Sequence, residues 1–309
     1  MENIYQTTVS SPITFQGVGL HSGKSSEIKI LPAPANHGII FKRVDLKSDN
    51  YVKANYLNVS SAKLCTTLEN NNGVKVSTIE HLLAALYFAE IDNVLIEINN
   101  EEVPIMDGSA KIFLETLNKT EIKFFNEKRN FLKVINKVEL VDGERNISIE
   151  PSNDSLEIRF KLNYENNIIG NQQNTINLRR DDFDEITESR TFCLLEDIEK
   201  IKKSGLAKGG SLENAVVVDV KKILNEGGLR NKKEFVNHKI LDLVGDFVLS
   251  GFRILGKVNC YQGGHLLTNM FLRKFLNESK SEKYFRIEKF NVSNNFNTET
   301  QTKIAAVSA

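Results

Sequence analysis

From about Thr78 to Glu90 the chain reads as a helix with apolar residues on nearly every side, Ile79, Leu82, Leu83, Leu86, Tyr87 and Phe88 among them. A helix without a polar face belongs inside a fold rather than on its surface. A second long helix, predicted over Lys233 to Leu249, differs in kind. Val236, Ile240, Leu243, Val244 and Phe247 form its core stripe, while His238, Asp242 and Asp246 fall on another flank, each step of four drifting by about 40°. At 309 residues the chain exceeds one small core, and two domains of ordinary size are expected. The charged, weakly patterned stretch from Lys119 to Asn130 marks the boundary, giving domains of 1–125 and 126–309.

The remaining elements mix strands with helices. Strand-like runs cover Glu27 to Leu31, Gly38 to Val44 and Val94 to Ile98, and a helix runs to about Asn118. Later strands are expected over Phe131 to Val141, Ile147 to Glu150 and Ser155 to Leu162, rich in β-branched residues with polar alternates. A short helix (Leu194 to Lys203), the turn Lys208-Gly209-Gly210-Ser211 and a strand from Ala215 to Val220 precede the second long helix. A strand from Ile254 to Tyr261, a helix to about Asn277 and a strand-like run from Tyr284 to Phe290 follow it, and the tail from about Val292 should fray.

Forty basic and forty acidic side chains cancel, so no long-range field recruits nucleic acid or an anionic membrane, and a small-molecule partner is expected. No stretch approaches the roughly 20 apolar residues of a membrane span. The start, Met1-Glu2-Asn3-Ile4-Tyr5-Gln6, lacks the basic and apolar blocks of a secretory signal. Cys65, Cys193 and Cys260 are odd in number and far apart, which suits a reducing cytoplasm better than a disulfide framework.

His238 and Asp242, four apart on one helix, have the spacing of two ligands to a divalent metal. They would equally suit an exposed i,i+4 pair worth a few tenths of a kcal/mol. Asp246, four further on, argues against that reading, because carboxylates at this spacing repel unless a metal or an imidazolium separates them. Ser77-Thr78-Ile79-Glu80 matches a capping box, in which Glu80 closes back on the Ser77 amide. His81, on the apolar helix, needs a partner, whether a carbonyl or a metal. Three ligands of the His/His/Asp type with one position open make a catalytic zinc site, and Glu80 beside one of them would be placed to take a proton from water. His265 follows Gly263-Gly264, as a loop histidine on a rim would. The HExxH signature of the commonest zinc peptidases is absent. Lys208-Gly209-Gly210-Ser211 lacks the Gly-Lys-Ser/Thr end of a P-loop.

Taken in order, these segments resemble the LpxC family, the UDP-3-O-acyl-N-acetylglucosamine deacetylases of lipid A biosynthesis. The matching stretches are Gly17 to Gly23, Leu64-Cys65-Thr66, Ser77 to Leu82, Ile91-Asp92-Asn93, Pro104 to Ala110, Ser189 to Phe192, Gly209 to Ser211, Leu224 to Arg230, Glu234 to Asp246 and Gly264-His265. The resemblance implies zinc held by His81, His238 and Asp242, with Fe²⁺ an alternative in the cell. It implies Glu80 as general base, His265 oriented by Asp246, and Thr191 at the oxyanion. Lys239 would lie near the charged part of the substrate and Phe192 beside the sugar and acyl chain. Leu64, Cys65 and Gly210 are expected at the substrate, and Leu195, Ile198, Leu212 and Val217 along an apolar passage for the acyl chain.

The implied fold is α+β: two similarly built α+β domains, helices layered between two β-sheets, and a βαβ insert in the second domain at about 191–218. A monomer in the cytoplasm of a Gram-negative-type bacterium is expected, acting on an acylated UDP-N-acetylglucosamine. Lys208 stands where an apolar residue is usual and Cys193 where a smaller one is common, which bears on acyl length. Two other readings stay open. A small-molecule kinase would use Gly209-Gly210-Ser211 as a phosphate cradle, and a non-catalytic sugar-nucleotide binder would close its metal with a fourth protein ligand.

Overall fold

The computed structural model describes residues 4–152, 155–277 and 281–289. In the first half, alternating short runs build strands β1 (Tyr5–Val9), β2 (Ile13–Val18), β3 (Ser25–Pro32), β4 (Ile39–Arg43) and β5 (Tyr51–Lys53). β3 shows why: Ser26, Ile28 and Ile30 are buried while Glu27 and Lys29 are exposed, the two-residue period of a sheet with one face on a core. Strands β6 (Val59–Ser61), β7 (Thr67–Glu69) and β8 (Lys75–Ser77) form a small antiparallel sheet that leads into helix α1 (Glu80–Phe88). Strand β9 (Val94–Ile98), helix α2 (Lys111–Asn118) and strand β10 (Ile122–Lys128) complete this half. The main sheet has the order β2-β3-β9-β4-β5, with β4 and β9 parallel and the other pairs antiparallel.

The second half holds β11 (Phe131–Val134), β12 (Val138–Asp142), β13 (Arg145–Pro151), β14 (Leu156–Asn163) and β15 (Asn171–Asn177), then a short helix α3 (Asp184–Thr187). After these come β16 (Phe192–Leu194), α4 (Leu195–Lys203), β17 (Val216–Val218), α5 (Glu234–Val248), β18 (Arg253–Tyr261), α6 (His265–Phe275), α7 (Ser281–Tyr284) and β19 (Phe285–Glu288). β18 is the spine of a seven-stranded sheet, pairing with β13 on one side and running parallel to β11 and β14. β16 and β17 pair in parallel across α4, with Cys193 opposite Val217. This is a βαβ unit set apart from both large sheets.

The fold is α+β, and its helices meet in the middle. α1 packs against α2 and α5; α2 also touches β2, while α5 and α6 lie on β14, β15, β12 and β13. In α1 every residue except the half-exposed Tyr87 is buried, as an all-round apolar helix requires.

Some sequence expectations shift. Phe131 to Val141 is two strands rather than one, because the chain turns at Ile135 to Lys137 and β11 and β12 pair with different partners. The charged stretch 119–130 contains β10, paired with β1 across 122 to 128. The capping box does not form. Helix α1 has no side-chain cap, the Ser77 amide donates to the Glu101 carbonyl, and the Glu80 carboxylate turns elsewhere. Phe290 and the tail from Val292 lie outside the described residues.

Candidate active site

α1 and α5 approach closely because Gly245 faces the backbone of Glu80, where a Cβ would meet the Glu80 carbonyl oxygen at 2.1 Å. The contact brings the start of α1 onto the inner flank of α5, and the ligand atoms of His81, His238 and Asp242 fall within 4.8 Å of one another. Asp242 Oδ1 stands 3.5 Å from His81 Nε2 and 3.3 Å from His238 Nε2. It is buried with no hydrogen-bond partner among the described residues. An anionic oxygen left so, facing two imidazole nitrogens, fits a cation held among the three. His238 Nδ1 donates to the Ser189 carbonyl at 3.0 Å, which leaves the Nε2 lone pair toward the group. Burial pushes the His238 pKa down to about 3, against the pull of Asp242, so this ring is neutral and its Nε2 can act as a donor atom to a cation. The site therefore suits a metal, and the group offers three donors.

The neighbouring groups are acid and base. Glu80 is 3% exposed; its Oε2 accepts from the Thr66 amide at 3.1 Å and its Oε1 lies 3.7 Å from His265 Nε2. Burial raises the Glu80 pKa, with His265 and His81 opposing. His265 Nδ1 donates to Asp246 Oδ2 at 2.8 Å, and Asp246 Oδ1 accepts from the Thr66 hydroxyl at 2.6 Å. Burial alone would lower the His265 pKa, but the carboxylates of Asp246, Glu80 and Asp242 outweigh it and raise the value to about 10. One carboxylate able to hold a proton and one imidazolium able to give one thus flank the same space. Lys239 Nζ donates to Asp242 Oδ2 at 3.0 Å and lies 5.4 Å from the Phe192 ring centre.

Thr191 and Phe192 lead from this cluster into an apolar cavity of about 380 Å³ formed by the βαβ unit and the Leu20-His21 turn. Leu195, Ile198 and Ile201 line it from α4, Val217 from β17, and Leu64, Gly210 and Leu212 from loops. Leu64, Leu195 and Leu212 are exposed at its edge. A larger cavity of about 530 Å³ lies elsewhere, lined in part by Asp92, Arg129 and Arg253. There Arg129 is tied to Asp92 at 2.8 Å and Arg253 to the Tyr87 carbonyl at 2.9 Å, and none of the catalytic candidates faces it.

A family model described as UDP-3-O-acyl N-acetylglycosamine deacetylase matches residues 6–277. The chain is 39% identical to the UDP-3-O-acyl-N-acetylglucosamine deacetylase of Haemophilus ducreyi over 88% of its own length and 90% of the relative's. It is 41% identical to the enzyme of that name from Geotalea uraniireducens, over 89% of each chain. The chain belongs to the LpxC family.

In this LpxC-family chain the residues singled out by sequence fall into three settings. Glu80, His81, His238, Asp242, Asp246, His265 and Lys239 form one polar cluster. Thr191, Phe192, Leu64, Leu195, Ile198, Gly210, Leu212 and Val217 border the apolar cavity, as does Cys193. Cys65 is buried behind Leu64, its Sγ 3.9 Å from the Thr67 hydroxyl, and burial pushes its thiol up to about 12; it does not line the cavity. His265 is buried as the first residue of α6 rather than set on a rim, because Asp246 draws it inward. Lys208 is exposed, and the amides of residues 208–211 are spent on His21, Leu20, Ala207 and Asn214, which leaves no cradle for a phosphate.

Two contributors lay in stretches that carry the resemblance but had no role assigned to them. Thr66 joins the Glu80 carboxylate to Asp246, which lies 180 residues beyond Thr66 in the chain. Ser189 acts through its carbonyl, which every residue type has. Gly245 carried a signal of its own, since a glycine inside a helix points to a close backbone approach.

Proposed function

We propose that the chain hydrolyses the N-acetyl group of UDP-3-O-(3-hydroxyacyl)-N-acetylglucosamine, giving acetate and the free amine for lipid A biosynthesis, and that zinc is its metal. The observation that carries this reading is the meeting of His81, His238 and Asp242 beside Glu80 and His265, at the end of an apolar cavity. The deacetylase names of the relatives support it.

His81, His238 and Asp242 would hold the ion, which when bound supplies Lewis-acid polarisation of the amide carbonyl and of water. Glu80, with its raised pKa, accepts the proton of the attacking water. The oxyanion that forms on the former carbonyl oxygen is met by the Thr191 hydroxyl and by the imidazolium of His265, which Asp246 orients. The carbon–nitrogen bond then breaks as the nitrogen takes a proton from His265 or from Glu80, leaving the neutral amine and acetic acid, which gives up its proton to become acetate. Lys239 and Phe192 receive the sugar nucleotide, and the cavity bordered by Leu195, Ile198, Leu212 and Val217 takes the acyl chain at roughly 0.8 kcal/mol per buried methylene.

We further assign two α+β domains meeting near residue 125, a monomer, and a cytoplasmic site of action. Among the described residues no helix is long and apolar enough to cross a membrane.

Acetate release from the acylated UDP-sugar, combined with metal analysis, tests the reading. One zinc per chain is expected, with turnover lost in His238→Ala although that protein folds. Full activity in His238→Ala would overturn it.

A further inference from the structure

Glu102 is 1% exposed and stands outside the cluster described above. Its carboxylate accepts three hydrogen bonds, from the His21 amide at 2.8 Å, the Ser22 amide at 2.7 Å and the Thr78 hydroxyl at 2.9 Å. Thr78 has a left-handed backbone (φ 56°) in the turn that opens onto Glu80 and His81. The 20–22 turn faces the other way and grips the βαβ unit. The His21 carbonyl accepts from the Lys208 amide at 3.2 Å, the Leu20 carbonyl from the Gly209 amide at 3.0 Å, and His21 Nδ1 from the Ala207 amide at 3.4 Å. Leu20, His21 and Ala207 all line the apolar cavity.

Two glycines make these approaches feasible. A Cβ at Gly19 would meet Glu102 Oε2 at 2.3 Å, and one at Gly209 would meet the Gly19 carbonyl oxygen at 2.3 Å. One buried carboxylate is therefore bonded both to the turn that starts the catalytic helix and to the turn that closes the cavity wall.

We propose that Glu102 is a positioning residue: it sets the cavity wall in register with Glu80 and His81, so that recognition of the acyl chain depends on it. Ion-assisted bonds from three donors to one buried carboxylate make a stiff joint. An amide at this position has one acceptor oxygen, and its NH₂ group would confront at least one of the same donors. The Glu102→Gln wall should then shift away from the chain it lines. A carboxylate that only stabilised the fold would affect acylated and unacylated ligands alike.

This inference rests on the deacetylase reading, and the experiment separates the two. The dissociation constants of two unreactive ligands, the deacetylated UDP-glucosamine with and without its 3-O-acyl chain, are measured on the metal-loaded protein by calorimetry. The wild type should prefer the acylated ligand, and in Glu102→Gln that preference should shrink by about tenfold or more, as loss of a few methylene contacts implies. Binding of the unacylated ligand and metal content should be unchanged. An equal loss for both ligands, or no loss for either, overturns the proposal. Should Glu102→Gln fail to fold, Gly209→Ala loosens the same joint from the other side; its preference should shrink likewise, and an unchanged preference overturns the proposal. A wild type that prefers the acylated ligand yet releases no acetate defeats the deacetylase reading and leaves this one standing.

Discussion

Gly245 and Glu80 touch backbone to backbone: a methyl group on Gly245 would lie 2.1 Å from the Glu80 carbonyl oxygen and 3.0 Å from its Cα. Neither partner can yield, because Glu80 and Gly245 both sit within buried helices. Gly245→Ala should therefore cost about 1–3 kcal/mol of stability by overpacking, although alanine is the better helix former. It should also loosen the metal group by separating His81 from His238. Urea denaturation and zinc titration of the variant check both effects.

Glu234 opens α5 and is fully buried; its carboxylate accepts from the Arg190 amide and Nε, at 3.1 and 2.7 Å, and from the Arg230 amide at 2.6 Å. Removing one partner of a buried ion pair strands the other, so Glu234→Ala should destabilise by about 3–5 kcal/mol. Thermal and chemical unfolding would register this. Arg190 precedes Thr191 and follows the Ser189 carbonyl that orients His238, so activity should fall with stability.

His265 has a pKa raised from 6.5 to about 10 because the carboxylates around it outweigh burial. A group raised on folding stabilises the native state fully below its unfolded pKa, and that contribution fades as pH rises through the folded value. The fold should therefore lose stability from about pH 6.5 toward pH 10. Asp246→Asn removes the nearest carboxylate and should flatten this slope. It should also move the alkaline limb of the pH–rate profile down by about 1–3 units. Denaturation and rate profiles across this range decide the matter.

Asp242 Oδ1 is buried without a hydrogen-bond partner among the described residues. Ligand binding to the native state alone stabilises it by mass action, about 2.7 kcal/mol at a hundredfold excess over the dissociation constant. Chelator should lower the melting temperature and zinc should restore it, whereas Asp242→Asn should show neither change. Differential scanning calorimetry with and without zinc gives the answer.

Leu212 lines the apolar cavity yet is 44% exposed, so trimming it should spare the fold. Leu212→Ala removes contact worth up to about 2 kcal/mol. KM for the acylated substrate should rise by roughly tenfold while kcat changes little. Steady-state kinetics on acylated and unacylated substrates measure the difference.

The readable and unreadable parts of this chain follow from where their interactions lie. Helices α1, α5 and α6 were legible within a few residues, because their apolar spacing is a local property. Strands β1 and β5 to β8 were not, since they are short and carry only one or two apolar or aromatic residues each. The i,i+4 spacing of His238 and Asp242 suited an exposed ion pair as well as two metal ligands, and Glu80 taken alone read as a capping residue. Only its bond to the Thr66 amide and its place near His265 take it out of that role.

From the sequence alone came the buried helix, the polar flank of α5 with His238, Asp242 and Asp246, the balanced charge and the family resemblance. These depend on residue identity and on spacing within one element. The tertiary structure decided which partners those residues meet: Gly245 against Glu80, Thr66 between Glu80 and Asp246, and Glu102 between the cavity wall and the turn that opens α1. Such contacts join residues up to 180 positions apart through backbone atoms that every residue carries, and no local pattern can encode them.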